Sequence, residues 1–190
     1  MKLERVSPET KSDLHKIKRL VGLYNMVPNP IWSIINLVPI SVFCYSLLDP
    51  RLFYIFVLAS MVPIFFPNSF FDKMQLGKTL EIYKKLGVGV VNKLSQNGDI
   101  INRLVRKRFP DYRVIRHNKS SINKLVQQTY VFEKFHFFMF LFFTFTTVYA
   151  ISKNYFGWAV VIILTNLLYN IYPNLLQQYI RLKLKLNDQK

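Results

Sequence analysis

The stretch TYVFEKFHFFMFLFFTF, residues 129–145, passes from charged to wholly apolar within a few positions. Glu133 and His136 stand at the threshold, and residues 137–152 carry no charge at all. Ionisable groups are expensive beside hydrocarbon. A chain that puts them there uses them for chemistry or as anchors at a membrane surface, and the residues leave both readings open.

Three more runs of this kind exist, at 26–48, 52–71 and 154–180. Of the 190 residues 51% are hydrophobic, yet the formal net charge is +16. The two kinds of residue fall in separate blocks. A soluble domain interleaves them at helical or strand period. Blocks close to the ~20 residues that cross a hydrocarbon core instead predict an all-α, polytopic membrane protein with about four transmembrane helices. Only DPR (49–51) joins the first pair and only KN (153–154) the second, so each pair is an antiparallel hairpin. Pro39, Pro63 and Pro67 bend the first pair, which leaves a re-entrant hairpin open there. The expected organisation is one integral membrane domain over 1–190: an N-tail (1–28), hairpin 1 (29–71), a basic interfacial loop (72–134), hairpin 2 (135–180) and a C-tail (181–190).

Lys and Arg sort by side. Residues 1–30, 72–134 and 181–190 hold 24 of the 26, leaving Arg51 and Lys153 on the other face. The positive-inside rule puts the three basic segments, and both termini, in the cytoplasm of a multi-pass protein of the cell (inner) membrane. Residues 1–27 are too long for the n-region of a cleaved signal, so the N-terminus is expected to be retained. Topology and anionic headgroups account for the charge, and nucleic acid is not an expected partner. Cys44, the single cysteine, lies in an apolar run and reads as a packing residue; no disulfide framework is possible within the chain.

The loop repeats apolar residues at Leu76, Leu80, Tyr83, Leu86, Val90 and Leu94, an amphipathic basic helix lying in the interface that Gly87 and Gly89 weaken. QNGDI (96–100) signals a turn. INRLVRKRFPDYRVI (101–115) adds five basic residues with Pro110 and Asp111. The loop either anchors the protein on anionic headgroups or walls a pocket for an anionic headgroup or donor.

Several chemistries are excluded. His15, His117 and His136 are too few for the His boxes of membrane di-iron enzymes. One Glu-x-x-His is half of a carboxylate-bridged di-metal site. No HExxH, His-x4-Asp or phosphate-binding glycine loop is present, so no metal and no cofactor are expected. What remains is Glu133 with His136, one helical turn apart, and a polar stripe on the last run: Asn166, Asn170, Asn174, Gln177 and Arg181. Tyr169, Tyr172 and Tyr179 surround it. Pro173 denies a donor to the Tyr169 carbonyl and bends the helix. The tight hairpin brings stripe and pair to one depth. His136 could then serve as general base on a hydroxyl, with Glu133 fixing its tautomer. Asn170 or Gln177 could donate to an oxyanion, and Arg181 could hold a carboxylate or phosphate. The rival reading is interhelical glue in a small non-enzymatic membrane partner or scaffold protein. A transporter would need to oligomerise around so few spans.

Asn170, Tyr172, Pro173, Leu175, Leu176, Gln177, Tyr179, Arg181, Lys183 and Leu184, as N-x-YP-x-LLQ-x-Y-x-R-x-K-L, resemble the C-terminal signature of the glycosyl-4,4'-diaponeurosporenoate acyltransferases, small bacterial membrane proteins of carotenoid biosynthesis. That family also carries Glu-x-x-His ahead of an apolar helix, as at Glu133 and His136. Gln178 stands where the family usually has Arg, Ile180 where Asn follows the Tyr, Leu182 where a small residue or Pro is usual, and Phe137 where Trp often follows the His. The resemblance implies a lipid-modifying transferase. It would move a fatty acyl group from a thioester, acyl-CoA or acyl carrier protein, to a sugar hydroxyl of a glycosylated isoprenoid. Glu133 and His136 would be catalytic, and Asn170, Tyr172, Gln177, Tyr179 and Arg181 would bind substrate.

Overall fold

The computed structural model describes residues 8–26, 28–94, 99–109 and 119–188, and no strand occurs among them. The helices are α1 (Pro8–Met26), α2 (Pro28–Leu47), α3 (Pro50–Ser60), α4 (Asn68–Lys73), α5 (Leu80–Lys85), α6 (Val88–Leu94), α7 (Asp99–Arg108), α8 (Lys119–Ser152), α9 (Phe156–Asn166) and α10 (Tyr172–Asp188). A 3-10 turn, Val62–Phe65, extends α3, and a π-turn, Leu167–Ile171, joins α9 to α10.

Both turns form, each with its own chemistry; α8 and α9 pack on each other, whereas α2 packs on α9 and α3 on α8. Asp49 caps α3 by accepting from the Arg51 amide at 2.7 Å, with Pro50 set in the first turn. At the other turn Asn154 adopts φ +60°, the left-handed conformation that Asn tolerates. The Tyr155 amide then reaches back to the Ala150 carbonyl at 2.8 Å and the Asn154 amide to Ile151 at 3.0 Å, closing α8 in a Schellman cap.

Two stretches, Ile122–Ser152 and Phe156–Leu186, are long and apolar enough to cross a membrane. Only 28% and 33% of their apolar windows is buried, whereas a core helix of a soluble protein hides most of its surface. Their outer faces carry Val131, Ile151, Val160 and Leu164, all exposed. The apolar helices of the first hairpin, Trp32–Leu47 and Pro50–Phe65, are shorter.

The core sits where the hairpins meet. Ile40 and Phe43 of α2 and Leu48 just past its end pack with Phe142, Phe143 and Ala150 of α8 and with Ala159 and Ile162 of α9. Phe43 is fully enclosed, with the rings of Tyr149, Tyr155 and Trp158 at 6.3, 6.2 and 5.8 Å. Edge-on and tilted contacts of this kind suit aromatic quadrupoles. The Tyr149 hydroxyl donates to the Leu47 carbonyl at 3.1 Å and pins the turns together.

Several expectations change. The amphipathic loop helix breaks in two, because Gly87 takes φ +77° and ends α5 before α6 begins. Only glycine adopts that conformation freely. No boundary falls at 134/135: α8 starts at Lys119 and runs unbroken through Glu133 and His136. Likewise α10 continues past Ile180 to Asp188. The N-terminal segment contains α1, which packs against α2 and α7. Asn97 and Gly98 of the QNGDI turn, Pro110, Asp111 and His117 lie outside the described residues.

Candidate functional site

Glu133 is buried, and its partner is not His136. Gln178 Nε2 donates to Glu133 Oε1 at 2.9 Å, and Arg181 Nη1 donates to Glu133 Oε2. The expected orientation of the imidazole by Glu133 is therefore not formed, because both carboxylate oxygens already face α10. Arg181 has no exposed surface. Its Nε stands 3.5 Å from Asp72 Oδ1, its Nη2 donates to the Phe71 carbonyl at 3.4 Å, and its guanidinium lies 4.3 Å from the Tyr130 ring centre. The Tyr130 hydroxyl is 2.8 and 3.0 Å from the two Asp72 oxygens, and Lys185 Nζ adds a contact at 3.4 Å. A guanidinium with two carboxylates and an aromatic face has its charge matched within the protein. Its Nε is left without a hydrogen-bond partner.

Gln178 links this cluster to the short helices. Its Oε1 accepts from the Leu76 amide and the Tyr83 hydroxyl, each at 3.1 Å. Burial pushes the Tyr83 phenol above its ordinary range, which keeps it protonated and donating. Gln177, one position earlier, is half-buried, and the Glu133 oxygens are taken by Gln178 and Arg181 instead. The reason is the π-turn. Pro173 has no N–H, and its ring crowds the carbonyl four residues back. The chain widens over Leu167–Ile171 instead of kinking. One extra residue in a turn sets the following helix back by about 100°. Gln178 thereby takes the place on the stripe that an uninterrupted α-helix would give to Gln177.

The upper stripe joins α9 and the π-turn to α8. Asn166 Nδ2 donates to the Phe140 carbonyl at 3.3 Å and to Thr144 Oγ1 at 3.4 Å, and Asn170 Nδ2 donates to Asn166 Oδ1 at 2.8 Å. His136 lies in this neighbourhood. Its ring is edge-on to Tyr169 at 5.7 Å and beside the Asn170 side chain. Three polar atoms here are buried without a hydrogen-bond partner: His136 Nδ1, Asn170 Oδ1 and Asn174 Oδ1. Buried polar atoms are rarely left so, and each one calls for an explanation.

Beside the Glu133–Gln178 contact opens a cleft of about 250 Å³ whose walls include Asn174, Phe71, Phe137 and Leu175. It is apolar with polar groups on one side, the usual make-up of a ligand site. Of the other sequence candidates, Tyr179 is buried in a second core with Tyr83, Val88 and Leu176, and Tyr172 is half-buried at the start of α10. Asp72, Tyr83, Tyr130 and Gln178 were not singled out as site residues in the sequence. Asp72 carried a signal as an acid just past an apolar run, and Gln178 as the position where the family usually has Arg. No group of three or more metal-ligating side chains occurs among the described residues.

Residues 67–187 match the family model described as glycosyl-4,4'-diaponeurosporenoate acyltransferase. The matched stretch contains Asp72, the whole Glu133–Arg181 cluster, His136 and the cleft. No curated protein and no solved structure matches the chain.

Proposed function

The chain belongs to the glycosyl-4,4'-diaponeurosporenoate acyltransferase family, and we propose that it is a membrane enzyme moving a fatty acyl group from a thioester onto a hydroxyl of a lipid-like acceptor, a glycosylated carotenoid first of all. Membership carries the coarser part, an acyltransferase of carotenoid biosynthesis. One observation carries the finer part: His136 Nδ1 and Asn170 Oδ1, on neighbouring side chains, and Asn174 Oδ1, in the wall of the apolar cleft, are all buried without partners. A hydroxyl-bearing ligand supplies both the donors and the acceptor that these atoms lack.

In this reading His136 takes the proton of the acceptor hydroxyl as its oxygen attacks the thioester carbonyl carbon. The carbon–sulfur bond then breaks, and the thiolate leaves with that proton, giving an ester and a free thiol. The Asn170 side chain, beside the ring, positions the imidazole, the part first expected of Glu133. Glu133, Gln178, Arg181 and Asp72 are positioning residues that lock α8 to α10. Four spans with both termini cytoplasmic, the first hairpin completing the bundle in one membrane domain, put the site on the basic face. There anionic headgroups and an anionic carrier, coenzyme A or acyl carrier protein, would dock.

The test is a mass-spectrometric profile of lipid and pigment extracts from cells with wild-type protein, His136→Gln, or none, at equal membrane levels. The reading requires an acylated glycolipid or carotenoid with wild type alone and accumulation of its hydroxyl precursor in the other two. Identical profiles for wild type and His136→Gln would make His136 structural.

A further inference from the structure

A second cleft, of about 260 Å³, lies between α8 and α9 on the far side of the first. Phe140 and Ile171 line both. The two are neighbours across these residues, and as one groove with a waist there they would run from Glu133 to Val148. At ~1.5 Å per residue that is about 22 Å of helix. Each cleft alone falls below the roughly 300–1,000 Å³ of ordinary ligand sites, and the joined groove falls within that range.

Its far half is apolar in effect, although threonines and an asparagine line it. Thr144 Oγ1 donates to the Phe140 carbonyl at 2.7 Å and Thr147 Oγ1 to the Phe143 carbonyl at 2.8 Å. Asn166 is held by Phe140, Thr144 and Asn170. These polar groups are satisfied within the protein and need nothing from a ligand. At the near end the opposite holds: Asn174 Oδ1 lines the cleft and has no partner. The groove thus asks for a ligand with a polar head at Asn174 and a long hydrocarbon tail.

We infer that this groove seats the hydrocarbon chain of the transferred acyl group, with the waist at Phe140 and Ile171 and the far wall at Ile163 deciding how long a chain is accepted. The inference rests on the acyltransferase reading. A flexible saturated chain can pass the waist, whereas a rigid polyene cannot bend around it, which favours the donor's tail over the carotenoid.

The experiment supplies wild-type membranes with an equimolar ladder of saturated acyl thioesters and reads the chain lengths in the product. Ile163→Trp fills the far half and should shift the product towards short chains, by about 10-fold for each methylene excluded. Ile171→Phe should shift it further, and Phe140→Ala should admit longer chains. Ile163 is about half exposed, so its variant does not depend on repacking the core. An unchanged distribution, or an equal loss for every length, overturns the proposal.

A photoreactive fatty-acyl thioester gives a readout apart from turnover. Label should concentrate on Thr144 and Ile163 over outward-facing Val160, and long acyl thioesters should compete it away. Equal labelling of Val160 would mean boundary lipid, and competition by the glycosylated carotenoid alone would assign the groove to the acceptor; either sinks the inference. Should wild type acylate nothing, the activity reading fails, while the labelling still judges the groove.

Discussion

Glu133 of α8 and Arg181 of α10 form a fully buried ion pair, closed on one side by Gln178 and on the other by Asp72 and Tyr130. Its members come from the two long helices and from the end of the first hairpin. The pair fixes how these three pieces meet more than it adds to net stability, since desolvation offsets most of the attraction.

Removing one partner is expected to be severe. Glu133→Ala or Arg181→Ala leaves an uncompensated buried charge, and such losses run to about 3–5 kcal/mol. The double change Glu133→Leu with Arg181→Met should recover much of that. Thermal inactivation of the detergent-purified protein measures both, and a double variant no better than the singles would speak against a closed pair.

His136→Gln should behave differently. No charged partner depends on the imidazole, so expression and thermal stability should stay near wild type. Transfer should fall by about 10²–10⁴-fold, the usual contribution of a general base. Comparing turnover per folded molecule in His136→Gln and Glu133→Gln separates the base from the scaffold.

The shifted register can be read from neighbouring glutamines. Gln178→Leu removes a donor from Glu133 and an acceptor from Leu76 and Tyr83, and should destabilise by about 1–3 kcal/mol. Gln177→Leu should change stability by less than about 0.5 kcal/mol. If the two variants melted in the reverse order, an unbroken α-helix would be the better description.

Gly87 offers a local control. A side chain there meets open space, so Gly87→Ala tests conformation alone. At φ +77° it should destabilise the α5–α6 junction by about 1 kcal/mol. Protease sensitivity between Lys84 and Val91 is a direct measure. Gly89→Ala, also facing open space but with no positive φ, should be neutral or better.

Much of this arrangement was legible in the sequence. The all-helical fold followed from the apolar blocks, and DPR and KN announced turns that Asp49 and Asn154 make. The convergence of Glu133 and Arg181 followed from depth alone, because the second hairpin is tight. Their direct pairing did not, since spacing says which residues share a level and not which atoms meet. His136 sits one turn from Glu133, and the nearness suggested a bond, but both Glu133 oxygens are taken by Gln178 and Arg181. Gln178 was missed for a geometric reason: Pro173 promised a bend, whereas the chain answered with a wider turn. Asp72, Tyr83 and Tyr130 enter by long-range packing, which no local pattern encodes.

The π-turn also bears on how this chain should be lined up against its kin. Leu167–Ile171 holds one residue more than the α-turn it stands in for. A relative shorter by one residue between Asn166 and Pro173 could run as plain α-helix and present the same side chains to the groove. In a column-by-column comparison such a relative shows a gap. Placed inside the turn, the gap keeps Asn166 and Gln178 each against their equivalents. Placed anywhere downstream, it sets Gln177 against the counterpart of Gln178 and makes a retained site look like a lost one.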